Sequence, residues 1–237
     1  MNFTKVIAAG VVGCGLMAGA STASAGDYNG DFMVRLQGTY LYTDDDMGRV
    51  TDSVAGDLTG TFAAAGIESY TTNSVLPTLT LTYFFFKNIA AELFCCFAKS
   101  AVKLDTPAGS APVGDTWMFP PIVTLQYHFD KIGGFKPYVG AGVQYIHFFS
   151  EDADAAGTTM NVDNAFGFAL QAGFDLEIGN GWYLNADVKK SFLDTTVTLN
   201  DGASITQVEH DLDPWIFSVG VGYRFNLFGP RYIEPLK

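Results

Sequence analysis

Charge is scarce in this chain, and the charge present is one-sided. Only 16% of the 237 residues are charged, with 13 Lys plus Arg against 25 Asp plus Glu, for a net charge of −12. A nucleic-acid partner needs phosphates neutralised by clustered cations, so none is expected here. Long hydrophobic runs are missing too. The longest, about residues 6–20, falls short of the ~20 residues that a helix needs to cross a bilayer, which excludes a helical membrane protein. Cysteine is rare, at three residues, and no CxxC motif is present. Cys95 and Cys96 are neighbours that point to opposite faces of a strand, so they form neither a disulfide nor a metal pair. No metal or other cofactor is expected.

Apolar residues are plentiful, at 48%, and 26 residues are Gly. Such a chain is too hydrophobic for disorder and long enough for one large domain. At its start, Lys5, an apolar stretch and Ala23-Ser24-Ala25 form the pattern of a cleaved export signal over residues 1–25. Val11-Val12-Gly13-Cys14 is a rival lipoprotein-type site, with a very short apolar stretch before it.

The dominant pattern is alternation with period two, the mark of strands whose two faces differ chemically. It runs through eight segments, about 31–43, 75–86, 89–103, 117–129, 136–150, 160–178, 182–199 and 204–225. In the fifth, Val139, Ala141, Val143, Tyr145, His147 and Phe149 alternate with Tyr138, Gly140, Gly142, Gln144, Ile146 and Phe148. Connections alternate between short turns, such as Lys87-Asn88 and Gly179-Asn180-Gly181, and long polar loops at 44–74, 104–116, 151–159 and 200–203. A short helix fits within 53–68. The layout predicts an all-β fold, an eight-stranded antiparallel transmembrane β-barrel over residues 26–225 with short periplasmic turns and longer extracellular loops.

A soluble barrel would present Lys and Glu to water on its outer face. Here the polar parity is mostly Gly, Ala, Thr, Gln and Ser. The apolar parity ends in aromatics: Tyr83, Phe85, Tyr127, Phe129, Trp182, Tyr223 and Phe225 at the short-turn end, and Tyr40, Tyr42, Phe149 and Trp215 toward the other. That is an interfacial girdle, and it predicts a location in the outer membrane of a Gram-negative bacterium.

Several segments resemble the OmpW family of outer-membrane proteins. They are Leu81-Thr82-Tyr83 through Asn88-Ile89-Ala90-Ala91-Glu92-Leu93, Phe119-Pro120-Pro121, and Phe135-Lys136-Pro137-Tyr138-Val139-Gly140-Ala141-Gly142. Gln171 to Asp175 and the final run from Leu212-Asp213-Pro214-Trp215 to Gly222-Tyr223-Arg224-Phe225 continue the likeness, which covers about residues 30–225. The resemblance implies an eight-stranded barrel with a narrow apolar lumen that carries small hydrophobic molecules. It also implies outer-membrane lipid, a small hydrophobic ligand and the barrel assembly machinery as partners. Family chains stop at the last aromatic, whereas Asn226–Lys237 follow Phe225 here; residues 226–237 are expected to form a periplasmic extension.

With the polar parity inward, Arg35, Glu92, Gln126, His128, Asp175, Asp187 and Arg224 enter the lumen near the short-turn end and are expected to pair as a polar floor. Arg224 is expected to pair with Glu92 or Asp175. Above them the same parity gives Leu41, Phe94, Cys96, Ile122, Ile146, Phe148 and Ile216, an apolar layer suited to a greasy ligand. Family resemblance places an apolar constriction at Phe94 and Phe166; alternation turns Phe94 inward but Phe166 outward unless a bulge near Asn164 shifts the register.

Two other function classes make different demands on the sequence. A barrel enzyme needs a nucleophile, a base and an orienting acid. Of the three histidines, only His210, placed in the last outer loop, has carboxylates beside it (Glu209, Asp211 and Asp213), and no serine sits in a GxSxG motif. A structural or surface-adhesion barrel would use its outer loops and leave the lumen as filler. Asp44-Asp45-Asp46 and Glu151 to Asp154 lack the spacing of a defined calcium loop and read as solvated charge.

Overall fold

A computed structural model describes residues 31–43, 46–71, 73–107, 109–153 and 157–227. The expected signal segment, Cys14, Asp44, Asp45, Asp154 and residues 228–237 of the tail lie outside the described residues. In chain order the first strands are β1 (Phe32–Tyr42), β2 (Asp46–Asp52), β3 (Gly56–Asp57), β4 (Glu68–Thr71), β5 (Ser74–Phe84), β6 (Ile89–Cys95), β7 (Ala98–Thr106) and β8 (Gly109–Phe119). They are followed by β9 (Ile122–His128), β10 (Phe135–Ala153), β11 (Thr159–Val162), β12 (Ala165–Gly179), β13 (Trp182–Phe192), β14 (Asp194–Asn200), β15 (Ile205–Asp211) and β16 (Trp215–Phe225). One helix, α1 (Thr59–Ala65), lies inside the segment where a short helix was expected.

Eight of these strands close a ring. Their order is β12-β13-β16-β1-β5-β6-β9-β10, and β10 pairs back onto β12 from Phe135↔Leu176 to Ile146↔Ala165. All the pairings are antiparallel. Closure pairs every strand on both sides, the condition for crossing hydrocarbon, where an open sheet edge finds no water to bond.

Alternation settles which face is which. Along β9, Ile122, Thr124, Gln126 and His128 are buried, while Val123, Leu125 and Tyr127 are exposed at 47%, 60% and 49%. The exposed parity is the apolar one, as a surface in contact with lipid must be. Near the short turns, rings join into a belt. Phe85 contacts Tyr83, Tyr83 contacts Phe32, Phe32 stacks on Phe225, and Tyr223 bridges Phe225 to Trp182, with centroids 4.8 to 6.3 Å apart. Glycine permits close strand approach at two points. A Cβ on Gly142 would lie 1.9 Å from the Val123 carbonyl oxygen, and one on Gly220 would lie 2.1 Å from that of Leu36.

Above the ring the strands part company with the expected layout. Five segments read as continuous are interrupted at a similar height: at Cys96-Phe97, before Ile122 at Pro120-Pro121, after Val162 at Asp163-Asn164, at Leu193, and at Leu212–Pro214. Proline has no N–H to give to a ladder, which accounts for the breaks at 120–121 and 214. Beyond the breaks, β11, β14, β15, β2 and β3 form a separate five-stranded sheet, and β8, β7 and β4 extend from β10. The expected loop at 104–116 is largely strand: β7 and β8 pair from Ala98↔Met118 to Thr106↔Gly109. Water on the outer side removes the need for an apolar parity there, so alternation does not announce β2, β3, β4 or most of β8.

Val219 sits mid-strand on the outer face, 64% exposed. Val219→Arg is expected to cost roughly 2–4 kcal/mol, as Arg does near a bilayer midplane. The same change at Val54, 77% exposed between β2 and β3 beyond the barrel strands, is expected to stay within about 0.5 kcal/mol. Urea unfolding of both variants in lipid vesicles checks the difference.

Candidate functional site

The lower lumen is filled by a connected polar network. Inward positions on seven of the ring strands supply it, since a barrel of eight strands is just wide enough for side chains to meet across its axis. Arg35 is fully buried at the centre. Its Nε and Nη2 donate to the two carboxylate oxygens of Asp175 at 3.1 and 2.7 Å, a bidentate pair, and Nη1 donates to Glu92 Oε2 at 2.8 Å and Thr82 Oγ1 at 2.6 Å. Glu92 has a second cation. Its Oε1 lies 3.2 Å from Lys189 Nζ and accepts from Gln171 Nε2 at 3.0 Å. Lys189, also fully buried, reaches both oxygens of Asp187 at 2.8 and 3.0 Å.

Neutral groups complete the mesh. Tyr138 donates its hydroxyl to Asp187 Oδ2 at 3.2 Å and accepts from Asn185 Nδ2 at 3.0 Å; Asn185 also donates to Asp175 Oδ1 at 2.9 Å. Gln171 accepts from Thr124 and Gln126 at 2.8 and 3.0 Å and donates to Asp187. Beneath, His128 shares a hydrogen bond of 2.9 Å with Gln126 Oε1, and its ring lies 4.9 Å from Phe84 and 4.8 Å from Tyr138.

One pairing differs from expectation. The cation that Glu92 and Asp175 hold in common is Arg35, and Arg224 instead lays its guanidinium 3.6 Å over the Phe84 ring. The reason is height: Arg224 is level with Met33 in the register of β1 and β16, one inward position nearer the periplasm than Arg35. Reasoning from the sequence missed one charged member, Lys189, although it shares the inward parity of Asp187, and the neutral members Thr82, Thr124, Tyr138, Gln171 and Asn185.

Above the floor, hydroxyls of Thr78, Thr39 and Ser218 join across β5, β1 and β16 at 2.6 and 2.9 Å. Over them opens a cavity of ≈ 60 Å³ whose wall includes Leu41, Leu76, Phe94, Ile146, Phe148 and Ile216. Phe94, Ile122, Ala169 and Ile216 pack as one buried cluster at its base. Lys189 Nζ lies 4.8 Å over the Phe94 ring, so this ring separates the ionic network from the apolar space. Among the described residues, no Lys, Arg, Asp or Glu is on the cavity wall. Leu76, Met118, Val162, Leu193 and Val197, in strand extensions or just below them, add an apolar cluster that was not expected.

His210 is not an exposed loop residue. It lies in β15 with its ring turned into the cavity, 3% exposed, while Glu209 and Asp211 point the other way. Among the described residues its Nδ1 has no hydrogen-bond partner, so neither Glu209 nor Asp211 orients the ring through that nitrogen.

A family model described as the OmpW family matches residues 28–225. The chain belongs to that family. Outer membrane protein W of Vibrio cholerae is 31% identical over 225 residues, spanning 90% of this chain and 98% of that protein. The crystal structure of OprG from Pseudomonas aeruginosa superimposes with a TM-score of 0.73 at 27% identity, covering 83% of this chain and 96% of that one. The solid-state NMR structure of AlkL in DMPC bilayers gives 0.68 at 26% identity, covering 91% and 100%; an AlkL sequence from Ectopseudomonas oleovorans matches over 95% of this chain. These relatives are outer-membrane barrels, and the outer membrane is where this chain resides.

Of the two positions that family resemblance placed at a constriction, Phe94 is 2% exposed inside the lumen. Phe166 is 65% exposed on the outer face, opposite Tyr145 in an unbroken register, so no bulge turns it inward and it is removed from the lumen layer.

Arg35→Ala leaves Glu92 and Asp175 short of a buried counter-charge and is expected to destabilise the barrel by roughly 3–5 kcal/mol. Combined with Asp175→Ala, part of that loss is expected to be recovered. A double-mutant cycle on unfolding free energies checks the coupling.

Proposed function

We propose that this barrel passes small hydrophobic molecules across the outer membrane, taking them up in the apolar cavity of its upper half. The observation that carries the reading is the division of the lumen: an uncharged, apolar-walled cavity stands directly on a fully buried ionic floor. Hydrated ions and sugars find little polar lining in the cavity and no straight aqueous path through the floor. A slender apolar molecule gains about 0.8 kcal/mol for each CH₂ taken from water into such a space. The partners this reading requires are the ligand itself, the surrounding lipid and the barrel assembly machinery that inserts the strands.

The reading differs from that of a surface scaffold in one measurable respect, which is that the cavity wall must matter. A charge at Phe94 would compete for Lys189 and disturb the floor, because the cation already rests on that ring. Ile146, 4% exposed on the cavity wall, is a cleaner position. Ile146→Asp is expected to lower uptake of an apolar fluorescent tracer by whole cells several-fold, with the folded barrel present at parental levels on unheated gels. Uptake equal to that of the parent protein would remove the passage reading and favour the scaffold.

A further inference from the structure

The cavity wall is apolar except at a few atoms, and two of those atoms are unmatched. Gln144 and His210 are 2% and 3% exposed and both line the cavity. Among the described residues, neither Gln144 Oε1 nor His210 Nδ1 finds a hydrogen-bond partner. Other polar side chains on the same wall are engaged: Thr39 with Thr78 and Ser218, Thr195 with the Asp163 carbonyl at 2.6 Å, and Thr116 with the Trp117 carbonyl at 3.3 Å. A buried polar atom without a partner is costly, and a protein that keeps two in one apolar cavity keeps them where something else can bond to them.

Their positions mark the two ends of the cavity, so a single hydroxyl can bond at either one. Gln144 leaves β10 opposite Ile122 on one side and Gly167 on the other, and Ile122 is in turn opposite Phe94, so the amide is level with the base of the cavity. His210 leaves β15 opposite Thr195 in the upper sheet, nearer the outside. Burial holds the proton affinity of the His210 imidazole below its ordinary value, so the ring is neutral and keeps one nitrogen able to accept. The lack of any charged residue on the wall means that an ionised head group would lose its hydration with nothing in return. A hydroxyl carries no charge, donates to an amide oxygen, and both donates to and accepts from an imidazole, so it satisfies either ring tautomer.

We propose that Gln144 and His210 are alternative acceptors, one at each end of the cavity, for the head group of a single ligand, and that the ligand preferred by the cavity is an uncharged apolar chain bearing a hydroxyl rather than a bare hydrocarbon or an ionised amphiphile. This rests on the passage reading and narrows it. A hydrocarbon entering the cavity displaces water from two acceptors and replaces none of its bonds. An alcohol of the same length restores at least one.

The test uses the full barrel in lipid nanodiscs loaded with the apolar fluorophore 1-N-phenylnaphthylamine. Displacement is measured for 1-decanol, its methyl ether, undecane and decanoate at pH 8, with empty nanodiscs supplying the correction for membrane partition. Decanol is expected to displace the fluorophore at roughly tenfold lower concentration than the ether or undecane, the ratio that one hydrogen bond to a buried acceptor confers. Decanoate is expected to be weakest. In a Gln144→Leu/His210→Leu variant that folds, the ratio of decanol to undecane is expected to fall to about one. The comparison within the parent protein stands alone if the variant does not fold. Equal displacement by decanol and undecane, or by decanol and its ether, would overturn the subsite while leaving passage of hydrophobic molecules in place. So would a preference that survives intact in the folded variant. Failure of the fluorophore and of every uncharged chain to bind would overturn both.

Discussion

Hydrocarbon offers no partner to a peptide group, and that constraint orders everything else in the molecule. It requires β10 to find β12 so that the ring has no edge. Eight strands then fix a lumen too narrow to hold a column of water once side chains point inward. What remains open to the chain is the chemistry of the filling. Below, it fills the lumen with charges that satisfy one another; above, with apolar side chains that leave a gap.

The two fillings obey different energetics. Arg35, Glu92, Asp175, Asp187 and Lys189 are each close to fully buried, and an intact network of this kind is worth little in net stability although breaking it is expensive. Its bidentate and bridging geometry leaves no member dependent on a single neighbour. The apolar half depends on packing density, and an unfilled space there forfeits contacts on every side. Phe94 lies at the meeting of the two, with its ring in the apolar cluster and Lys189 against its face.

Much of this was legible in the sequence because the bilayer imposes a readable code. Where one face of a strand meets lipid and the other a packed lumen, every second residue is constrained, and the inward placement of Arg35, Glu92, Gln126, His128, Asp175 and Asp187 follows from counting. The code fades where water lies on the outer side. There β2, β4 and β8 need no apolar outer face and lie wholly or mostly in stretches that read as loop, and His210 reads as an outer-loop residue. Lys189 escaped for a different reason. Its neighbour Lys190 is half-buried with its Nζ near Trp215 and Phe192, so a Lys-Lys pair in the sequence hides one buried cation and one interfacial one. The pairing of Arg35 rather than Arg224 with the carboxylates depends on relative strand height, which alternation does not contain.

Because the network draws its members from seven strands, it does not exist until the last strand is in place. Thr82, Glu92, Gln126, Tyr138, Asp175 and Lys189 sit on six different strands around Arg35. A slip of one residue in any pairing would turn that strand's polar set toward lipid. Such a slip would place charge in hydrocarbon, whereas the observed register turns every charge of the floor indoors at once. The ionic floor, which adds little to the stability of the finished barrel, therefore separates the right register from its one-residue neighbours by a wide margin of energy.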